Sequence, residues 1–169
     1  MRRRALAALV ALVCDVACNA GLEPVPVCPS GLVGICGTVT FEGAVPDSTQ
    51  AVYVVAYHTF PNSRDNLFTF EPPLNLLQNL PLGRDSAVYA LPVEAGRYEW
   101  VVAVWVKQGF TLATADSTLR EAGYYRDPAD ASLAGVVNVP DQGVAARIDF
   151  VIDFAQLHPP CRYYDPPCP

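Results

Sequence analysis

The chain has 169 residues and 51% of them are hydrophobic, which suits one domain with a complete core and excludes a disordered protein. Its formal net charge of −6 provides no electrostatic footprint for nucleic acid and disfavours anionic lipid surfaces. Sixteen prolines and eleven glycines are spread along the chain, which indicates many short strands joined by turns rather than long helices.

The first 18 residues have the features of an export signal of the lipoprotein type. Three arginines at positions 2–4 precede an apolar run over residues 5–13, and this order is typical of an export signal. The run is too short for a permanent transmembrane helix, which needs about 20 apolar residues. No later segment reaches that length without a charge or a proline. We therefore expect an exported chain without a transmembrane helix.

Cys18 is the expected lipidation site. Val16 and Ala17 precede it, as small residues precede the modified cysteine in bacterial lipoproteins, although Asp15 stands where that pattern normally has a leucine-like residue. Multiple acylation would anchor the protein stably to the membrane of the cell envelope, on the periplasmic or cell-surface side, because a single chain binds only marginally. The alternative is cleavage after Ala20, which would give a secreted protein.

Processing at Cys18 would make the remaining chain more acidic. Eleven basic residues less three arginines leaves eight, and seventeen acidic residues less Asp15 leaves sixteen, so the net charge becomes −8. A domain of this charge is unsuited to a polyanion, and we exclude nucleic acid as a partner.

Four cysteines remain after the signal, and an even number in an exported chain predicts two disulfides. Three pairings are possible. Local closure is favoured because its loops are short and rich in turn residues, whereas crossed closure would tie the C-terminal tail to the first strand. A structural zinc site is disfavoured, because seven and six intervening residues do not match its ligand spacing. The favoured pairs are Cys28 with Cys36 and Cys161 with Cys168.

The first half of the domain follows a Pro/Gly-rich linker over residues 19–34. Alternation of apolar and polar residues predicts a strand at 35–42. A second strand at 51–60 is apolar on one face and mostly apolar on the other, which suggests a central position in its sheet. An irregular excursion over 61–83 follows, since the periodicity fails there.

The next two predicted strands are residues 87–93 and 97–107. Glu94-Ala95-Gly96 lies between them and predicts a hairpin turn, in which the glycine takes a positive φ. The strand at 97–107 is mostly apolar on both faces, so we expect both of its faces to be covered.

The last part of the domain is predicted to contain one helix and two strands. Residues 116–122 are expected to form a short helix, with Asp116 as its N-cap and Gly123 after its end. Strands are expected at 135–139 and 145–154, and the even-numbered side chains of the latter should face the core. Residues 157–169 are expected to form a tail without regular structure.

These elements predict an all-β protein. Six or seven strands at turn-punctuated spacing, one short helix in a loop and no βαβ pattern indicate a β-sandwich of about seven strands over residues 35–156.

Two segments carry a family resemblance. Residues 37–46 read GTVTFEGAVP and lead into an aliphatic strand, and residues 89–98 read YALPVEAGRY. Together they resemble the carboxypeptidase regulatory-like family, which comprises Ig-like sandwiches also described as prealbumin-like or transthyretin-like. The resemblance implies an Ig-like sandwich in which Gly96 makes a turn and Tyr98 packs beneath it. It also implies an accessory module rather than an enzyme.

The family's hydrolases supply the main alternative. Enzymes on the transthyretin fold use a histidine/arginine constellation and end in Y-R-G-S, whereas this chain ends in YYDPPCP. The resemblance therefore does not imply their activity, and a cleft with His58 beside a carboxylate and an arginine would be needed to support it. Fold alone does not determine function.

Residue patterns for catalysis and for metal binding are weak. His58 is expected to be a hydrogen-bonded structural residue and His158 to be solvated, and their spacing does not suit a transition metal. Asp149 and Asp153 share a strand face but lie about 13 Å apart, which exceeds the separation in glycosidases. We therefore predict no catalytic residue, no metal site and no cofactor.

One acidic loop allows a second interpretation. Residues 127–132, DPADAS, could offer oxygen atoms to Ca²⁺, but they lack the arrangement of an EF-hand loop. Asp-Pro is more often the start of a plain turn.

The remaining candidate is a surface of aromatic side chains in or beside the loops. Loops at the ends of a sandwich commonly hold ligands, and aromatic residues are favoured at interfaces. We expect a non-catalytic interaction module that binds an unidentified protein or carbohydrate. The alternatives are that these side chains only cover the sheet, which would make the protein a structural spacer, or that the protein is a small hydrolase. The side chains expected to face a ligand are Trp105, Phe110, Tyr124, Tyr125 and Phe68.

Overall fold

The structure is a computed structural model and describes residues 28–168. The predicted export signal, Cys18 and most of the predicted linker lie outside the described residues.

Strands dominate the described part of the chain, which contains nine of them and one short α-helix, together with single turns of 3-10 helix. This confirms the predicted all-β fold with one short helix. In chain order the elements are β1 (Gly34–Glu42), β2 (Thr49–Tyr57), β3 (Ser86–Pro92), β4 (Gly96–Tyr98), β5 (Trp100–Lys107), α1 (Ala115–Thr118), β6 (Leu119–Tyr124), β7 (Val137–Val139), β8 (Val144–Ala145) and β9 (Phe150–Asp153).

The strands form two main sheets and a two-stranded ribbon. In the first sheet β1 is central, antiparallel to β3 on one side and parallel to β8 and β9 on the other. In the second sheet β5 lies between β2 and β6, and all pairings are antiparallel. Strands β4 and β7 form the ribbon. The main core contains apolar side chains from both sheets, as in a sandwich.

Strand β5 has both faces covered, as its sequence predicts. Val101, Ala103 and Trp105 point into the main core. Trp100 and Val102 point the other way, into an apolar cluster on the outer face of the second sheet. The excursion and the C-terminal segment supply the cover for this outer face.

Strand β2 corrects one prediction, because it lies at the edge of its sheet and not at the centre. The excursion covers its free edge: Ala56 and Glu71 exchange two backbone hydrogen bonds of 2.8 Å, and the Leu80 amide donates to the Val52 carbonyl at 2.9 Å. Apolar residues on both faces of a strand indicate that other side chains pack above and below it. They do not report whether another strand lies beside it.

The predicted hairpin at residues 94–96 is wrong. Strand β3 pairs in the first sheet, whereas β4 pairs with β7 and β5 lies in the second sheet. Residues 94–96 therefore lead the chain from the first sheet into the ribbon strand β4, and the chain enters the second sheet after it. Gly96 has a positive φ of 156°, and Tyr98 is fully buried beneath the turn with its hydroxyl donating to the Glu94 carbonyl at 3.0 Å. Glycine and tyrosine identify the turn, but they do not say which strands it joins.

The predicted helix at 116–122 is also wrong in its bounds. Thr111 caps a 3-10 turn that leads into α1, which ends at Thr118, and residues 119–124 form β6. Gly123 lies within β6 with a φ of 149°, where a side chain would collide with the Val151 carbonyl of β9. Gly123 is therefore required by a close approach of two strands, not by a helix end.

The last predicted strand is divided in two. Strand β8 ends at Ala145 and β9 begins at Phe150, and Arg147 between them has a φ of 63°. The core-facing prediction is wrong for Ala146, which is exposed, and it holds for the other even-numbered side chains, which are buried: Ile148, Phe150, Ile152 and Phe154. The break changes burial only at Ala146, next to the residue with positive φ, and a small apolar residue at that position does not reveal it in the sequence.

The C-terminal segment corrects the prediction of an irregular tail. Residues 160–163 form a 3-10 turn, and the Tyr163 ring packs against Trp100 with 5.1 Å between ring centroids. His158 and Glu121 exchange backbone hydrogen bonds, which attaches the segment to the edge of β6.

Both disulfides have the local pairing that the sequence favours. Cys28 is joined to Cys36 at the start of the domain, and Cys161 to Cys168 in the C-terminal segment.

Candidate functional site

A cleft of about 620 Å³ lies between β6, β9 and the C-terminal segment; we call it the β6–β9 cleft. Its volume is within the usual range of ligand-binding pockets, about 300–1,000 Å³. The crossing of β6 over β9 at Gly123 holds the two strands together at the base of the cleft.

One wall of the cleft is acidic. Glu42 and Asp153 are neighbours in the parallel register of β1 and β9, and Asp149 precedes β9 on the same outward face. Oδ1 of Asp149 accepts a hydrogen bond from the Thr38 amide at 2.6 Å, and Oδ1 of Asp153 accepts one from the Ala155 amide at 2.9 Å. These backbone contacts fix the position of two of the three carboxylates.

The other wall carries basic side chains. Arg126 follows β6, and His158 and Arg162 belong to the C-terminal segment. The guanidinium of Arg126 lies 4.5 Å from the centre of the Tyr124 ring and donates to the Ala131 carbonyl at 2.8 Å. A cation held over an aromatic face is favourably placed.

Glu121 joins β6 to the C-terminal segment at the floor of the cleft. Its side chain is only 6% exposed, and Oε2 accepts hydrogen bonds from His158 Nδ1 at 2.8 Å and from the Tyr163 hydroxyl at 2.7 Å. A buried carboxylate requires such donors, since an unpaired one is costly. Burial and the hydrogen bond to Glu121 raise the pKa of Tyr163 well above its usual value.

His158 is therefore not the solvated residue that the sequence suggested. With Nδ1 donating to Glu121, the remaining nitrogen, Nε2, has no hydrogen-bond partner among residues 28–168. The imidazole is thus oriented by a carboxylate and keeps one nitrogen for a bound molecule.

Only one of the five predicted ligand-facing side chains lines this cleft. Tyr124 does so, and Tyr125 packs partly buried against the main core. Trp105 is 5% exposed and lies in that core, with Nε1 donating to Thr49, so it does not reach a surface. Phe68 and Phe110 line a smaller apolar pocket of about 120 Å³ on the outer face of the second sheet.

A second polar cluster surrounds His58 at a different place in the fold. His58 Nδ1 lies 2.9 Å from the Arg97 carbonyl, Nε2 lies 3.2 Å from Glu71, and the ring stacks on Tyr98 at 4.1 Å. The Tyr98 hydroxyl donates to Glu71 at 2.7 Å. Burial and Glu71 raise the pKa of Tyr98. Both ring nitrogens have protein partners, as expected of a structural histidine.

The carboxylate named for the hydrolase alternative is present beside His58, whereas Arg97 meets the His58 ring through its backbone carbonyl. Glu71 contacts the ring and Arg97 forms an ion pair with Glu99, but none of these four residues lines the β6–β9 cleft. The cluster instead joins the excursion to β4.

The acidic loop at 127–132 forms ordinary turns. Oδ1 of Asp127 accepts from the Ala129 amide at 2.7 Å, and Oδ1 of Asp130 from the Ser132 amide at 2.9 Å. Hydrogen bonds from Ser132 lower the pKa of Asp130. In the described residues, no group of three or more histidine, cysteine or acidic side chains is placed to hold a metal ion.

Within residues 28–168 no helix has the length and apolar character needed to cross a bilayer. Comparisons with protein-family models, curated proteins and solved structures find no match to this chain. The cleft, which is lined by charged side chains of both signs and by the buried Glu121, is the strongest candidate for a functional site in the described residues.

Proposed function

We propose that this chain is an exported, non-catalytic interaction module that holds a protein or glycan ligand in the β6–β9 cleft. The observation that carries the proposal is the cleft itself. It places charged and hydrogen-bonding side chains from two strands and a disulfide-closed segment around about 620 Å³. Polar groups converging on one concave surface are the usual sign of a binding site.

The lining of the cleft supports binding rather than covalent catalysis. Glu121 and His158 have the relation of an orienting acid and a base, which require a nearby nucleophile in acyl transfer. No serine, threonine or cysteine is among the described residues that line the cleft. A hydrolase that activates water through His158 Nε2 is the second candidate function, and the orientation of His158 by Glu121 is the observation in its favour.

Two features support export and anchoring. Disulfides persist in oxidising compartments, and the domain contains two of them. The sequence 1–18 has the order of a lipoprotein signal, so Cys18 is the proposed site of the lipid anchor. We further propose that the sandwich belongs with the carboxypeptidase regulatory-like domains, on the two sequence segments that resemble them.

A pair of binding arrays tests the proposed function. The full chain is applied to glycan and peptide arrays beside the double variant Glu42→Ala/Arg162→Ala, and Asp47→Ala/Arg84→Ala serves as a control of equal charge outside the cleft lining. We expect at least one class of ligand to be retained by the wild type and the control and lost by the cleft variant. Equal retention by all three proteins would refute binding in the cleft.

Two further measurements test the remaining parts. Labelling with a fatty-acid analogue should mark the wild type and not Cys18→Ser. Equal labelling of both proteins would contradict the proposed lipid anchor at Cys18. Hydrolysis of a panel of activated esters and amides should be unchanged in His158→Ala, whereas a loss of turnover there would favour the hydrolase.

A further inference from the structure

The charges of the β6–β9 cleft are not neutralised by one another. Glu42 and Asp153 on the acidic wall and Arg126 and Arg162 on the basic wall line the same cleft, yet none of them takes part in an ion pair within residues 28–168. The only ion pair among the cleft side chains of that part of the chain joins Glu121 to His158 at the floor.

Three of these four groups are accessible to a ligand, whereas Asp153 is half-buried and accepts hydrogen bonds from the Ala155 amide and from Gln156 Nε2. Glu42, Arg126 and Arg162 are exposed. Arg126 uses only Nη1 in its recorded contacts, so the rest of its guanidinium is free to act as a donor in the described structure. Only Oδ1 of Asp149 is engaged by the backbone. Each wall therefore offers hydrogen-bonding atoms as well as charge.

Opposed walls select for a ligand with charges of both signs. A polycation is attracted by Glu42 and Asp153 but repelled by Arg162. A polyanion is attracted by Arg162 but repelled by the two carboxylates. A ligand that places a cation at one wall and an anion at the other is attracted by both, and such complementarity governs specificity. Salt weakens this selection, because exposed charges separated by more than the Debye length of about 8 Å at physiological ionic strength are largely screened.

The aromatic rings of the cleft favour a peptide over a neutral sugar. One face of the Tyr124 ring is covered by Arg126, and Tyr163 is packed against Trp100 and Phe60. These rings are poorly placed as open platforms for stacking a sugar. Between Asp149 and Asp153, Val151 is 43% exposed and offers a small apolar contact instead.

The strand geometry sets the length of the ligand. Asp149 and Asp153 are four residues apart, about 13 Å along an extended strand. An extended ligand lying along β9 would therefore cover this wall with about four residues, so two ligand side chains within four residues of each other both lie inside the cleft.

We propose that the β6–β9 cleft binds an extended segment of a partner protein in which a basic and an acidic side chain lie within about four residues of each other. This inference rests on the proposed function, since it names the ligand class of the same cleft. The basic side chain contacts Glu42 and Asp153, and the acidic one contacts Arg162 and Arg126.

The test uses capped, fluorescently labelled hexapeptides and the full chain. The set carries lysine and glutamate at every pair of positions in both orders, and matched peptides replace one or both charges by glutamine. A neutral tetrasaccharide of N-acetylglucosamine is the glycan probe. Fluorescence polarisation gives Kd at low salt and at high salt.

We expect the best lysine/glutamate peptide to bind about tenfold more tightly than its uncharged counterpart at low salt, and this advantage to shrink at high salt. Arg162→Glu should weaken that peptide about fivefold or more and leave the uncharged peptide unchanged, whereas Arg84→Glu should have no effect. Circular dichroism of each variant verifies that it is folded.

Three outcomes overturn the inference. Equal affinity for charged and uncharged peptides would show that the cleft does not select its ligand by charge. Failure of every peptide to bind would show that its ligand is not a peptide segment of this kind. Binding of the tetrasaccharide that is lost in Glu42→Ala/Arg162→Ala replaces the peptide by a glycan while the proposed function stands. The proposed function fails separately, when no ligand on either array depends on the cleft.

Discussion

Glutamate, histidine and tyrosine side chains form a hydrogen-bonded cluster at two places in this fold, and the two clusters differ in their exposure and in their contacts. In one cluster Glu71 contacts His58 and accepts from Tyr98, and in the other Glu121 contacts His158 and accepts from Tyr163. The Glu71 side chain is 27% exposed and the Glu121 side chain 6%. Composition alone therefore does not identify a site.

What distinguishes the two clusters is the remaining nitrogen of each histidine. His58 uses one nitrogen on the Arg97 carbonyl and the other on Glu71, so the cluster is closed. His158 lines an open cleft and uses only Nδ1 in a hydrogen bond, which it donates to Glu121. A histidine whose two ring nitrogens both have hydrogen-bond partners in the protein has a structural role. A histidine that lines a cleft and has one ring nitrogen without such a partner can hydrogen-bond to a ligand.

Alkaline pH is expected to have the largest effect, because both clusters contain a phenol that resists ionisation. The pKa of Tyr98 and that of Tyr163 are raised by burial and by their carboxylate partners. A phenol with a higher pKa in the folded chain contributes stability that is fully present below its unfolded value, about 10, and that is lost as the pH rises towards the folded pKa. We expect the free energy of unfolding in urea to decline steadily above about pH 10, by up to about 1.4 kcal/mol per pH unit for each such phenol.

Absorbance of ionised tyrosine at 295 nm follows the same titration. The double variant Tyr98→Phe/Tyr163→Phe should lose stability less steeply with pH than the wild type. A wild-type stability that stays flat between pH 10 and pH 12 would contradict the burial of these two phenols.

Removal of the two carboxylates should separate the clusters by stability. Glu121→Ala leaves His158 Nδ1 and the Tyr163 hydroxyl without their buried partner and should cost about 2–3 kcal/mol. Glu71→Ala should cost about 1 kcal/mol, because its partners are nearer to solvent. Urea unfolding of both variants measures the difference. A larger loss of unfolding free energy in Glu71→Ala than in Glu121→Ala would contradict the conclusion that Glu121 is the more important buried hydrogen-bond partner.

The two tyrosine hydroxyls should differ less. The single proton of the Tyr98 hydroxyl lies between two acceptors, Glu71 Oε2 at 2.7 Å and the Glu94 carbonyl beneath the turn at 3.0 Å, whereas Tyr163 donates to Glu121. Tyr98→Phe should cost about 1.5 kcal/mol and Tyr163→Phe about 1 kcal/mol. Thermal unfolding compares the variants, with Tyr53→Phe as the control, since the Tyr53 hydroxyl makes no hydrogen bond within residues 28–168. Equal stability of all three variants and the wild type would contradict both hydrogen bonds.

The histidines should show the smallest effect on stability and the clearest difference in binding. We expect His58→Gln and His158→Gln each to change stability by less than about 1 kcal/mol, because both side chains are partly exposed. Only His158→Gln should weaken binding of a mixed-charge peptide, by about twofold to fivefold, in fluorescence polarisation. Equal weakening by both variants would mean that the cleft is not where the ligand binds.

Sequence patterns predicted the layers of the fold well. Val39 and Ile35 alternate with polar residues in β1, and apolar residues on both faces of β5 correctly indicated a covered strand. The local disulfide pairing also follows from sequence, since short loops close at little entropic cost. These properties depend on neighbours in the chain.

Lateral pairing and the site could not be read from the chain in the same way. The sequence from Asp116 to Gly123 satisfies the end signals of a helix, but Leu119 and the residues after it pair with β5 instead, since β5 has an edge to cover. The floor residue Glu121 was thereby assigned to the wrong element. Glu42, Asp153 and Arg162 come from separate segments, so only the fold brings them together.

The direction of β1 has a consequence for how the protein would be displayed. The strand enters from the disulfide-closed N-terminal side at Gly34 and runs for about 26 Å to Glu42, at the acidic wall. The N-terminal disulfide and the acidic wall of the cleft therefore lie towards opposite ends of this strand. A domain held through its N-terminal side would present the acidic wall at the end of β1 that is farther from the point of attachment.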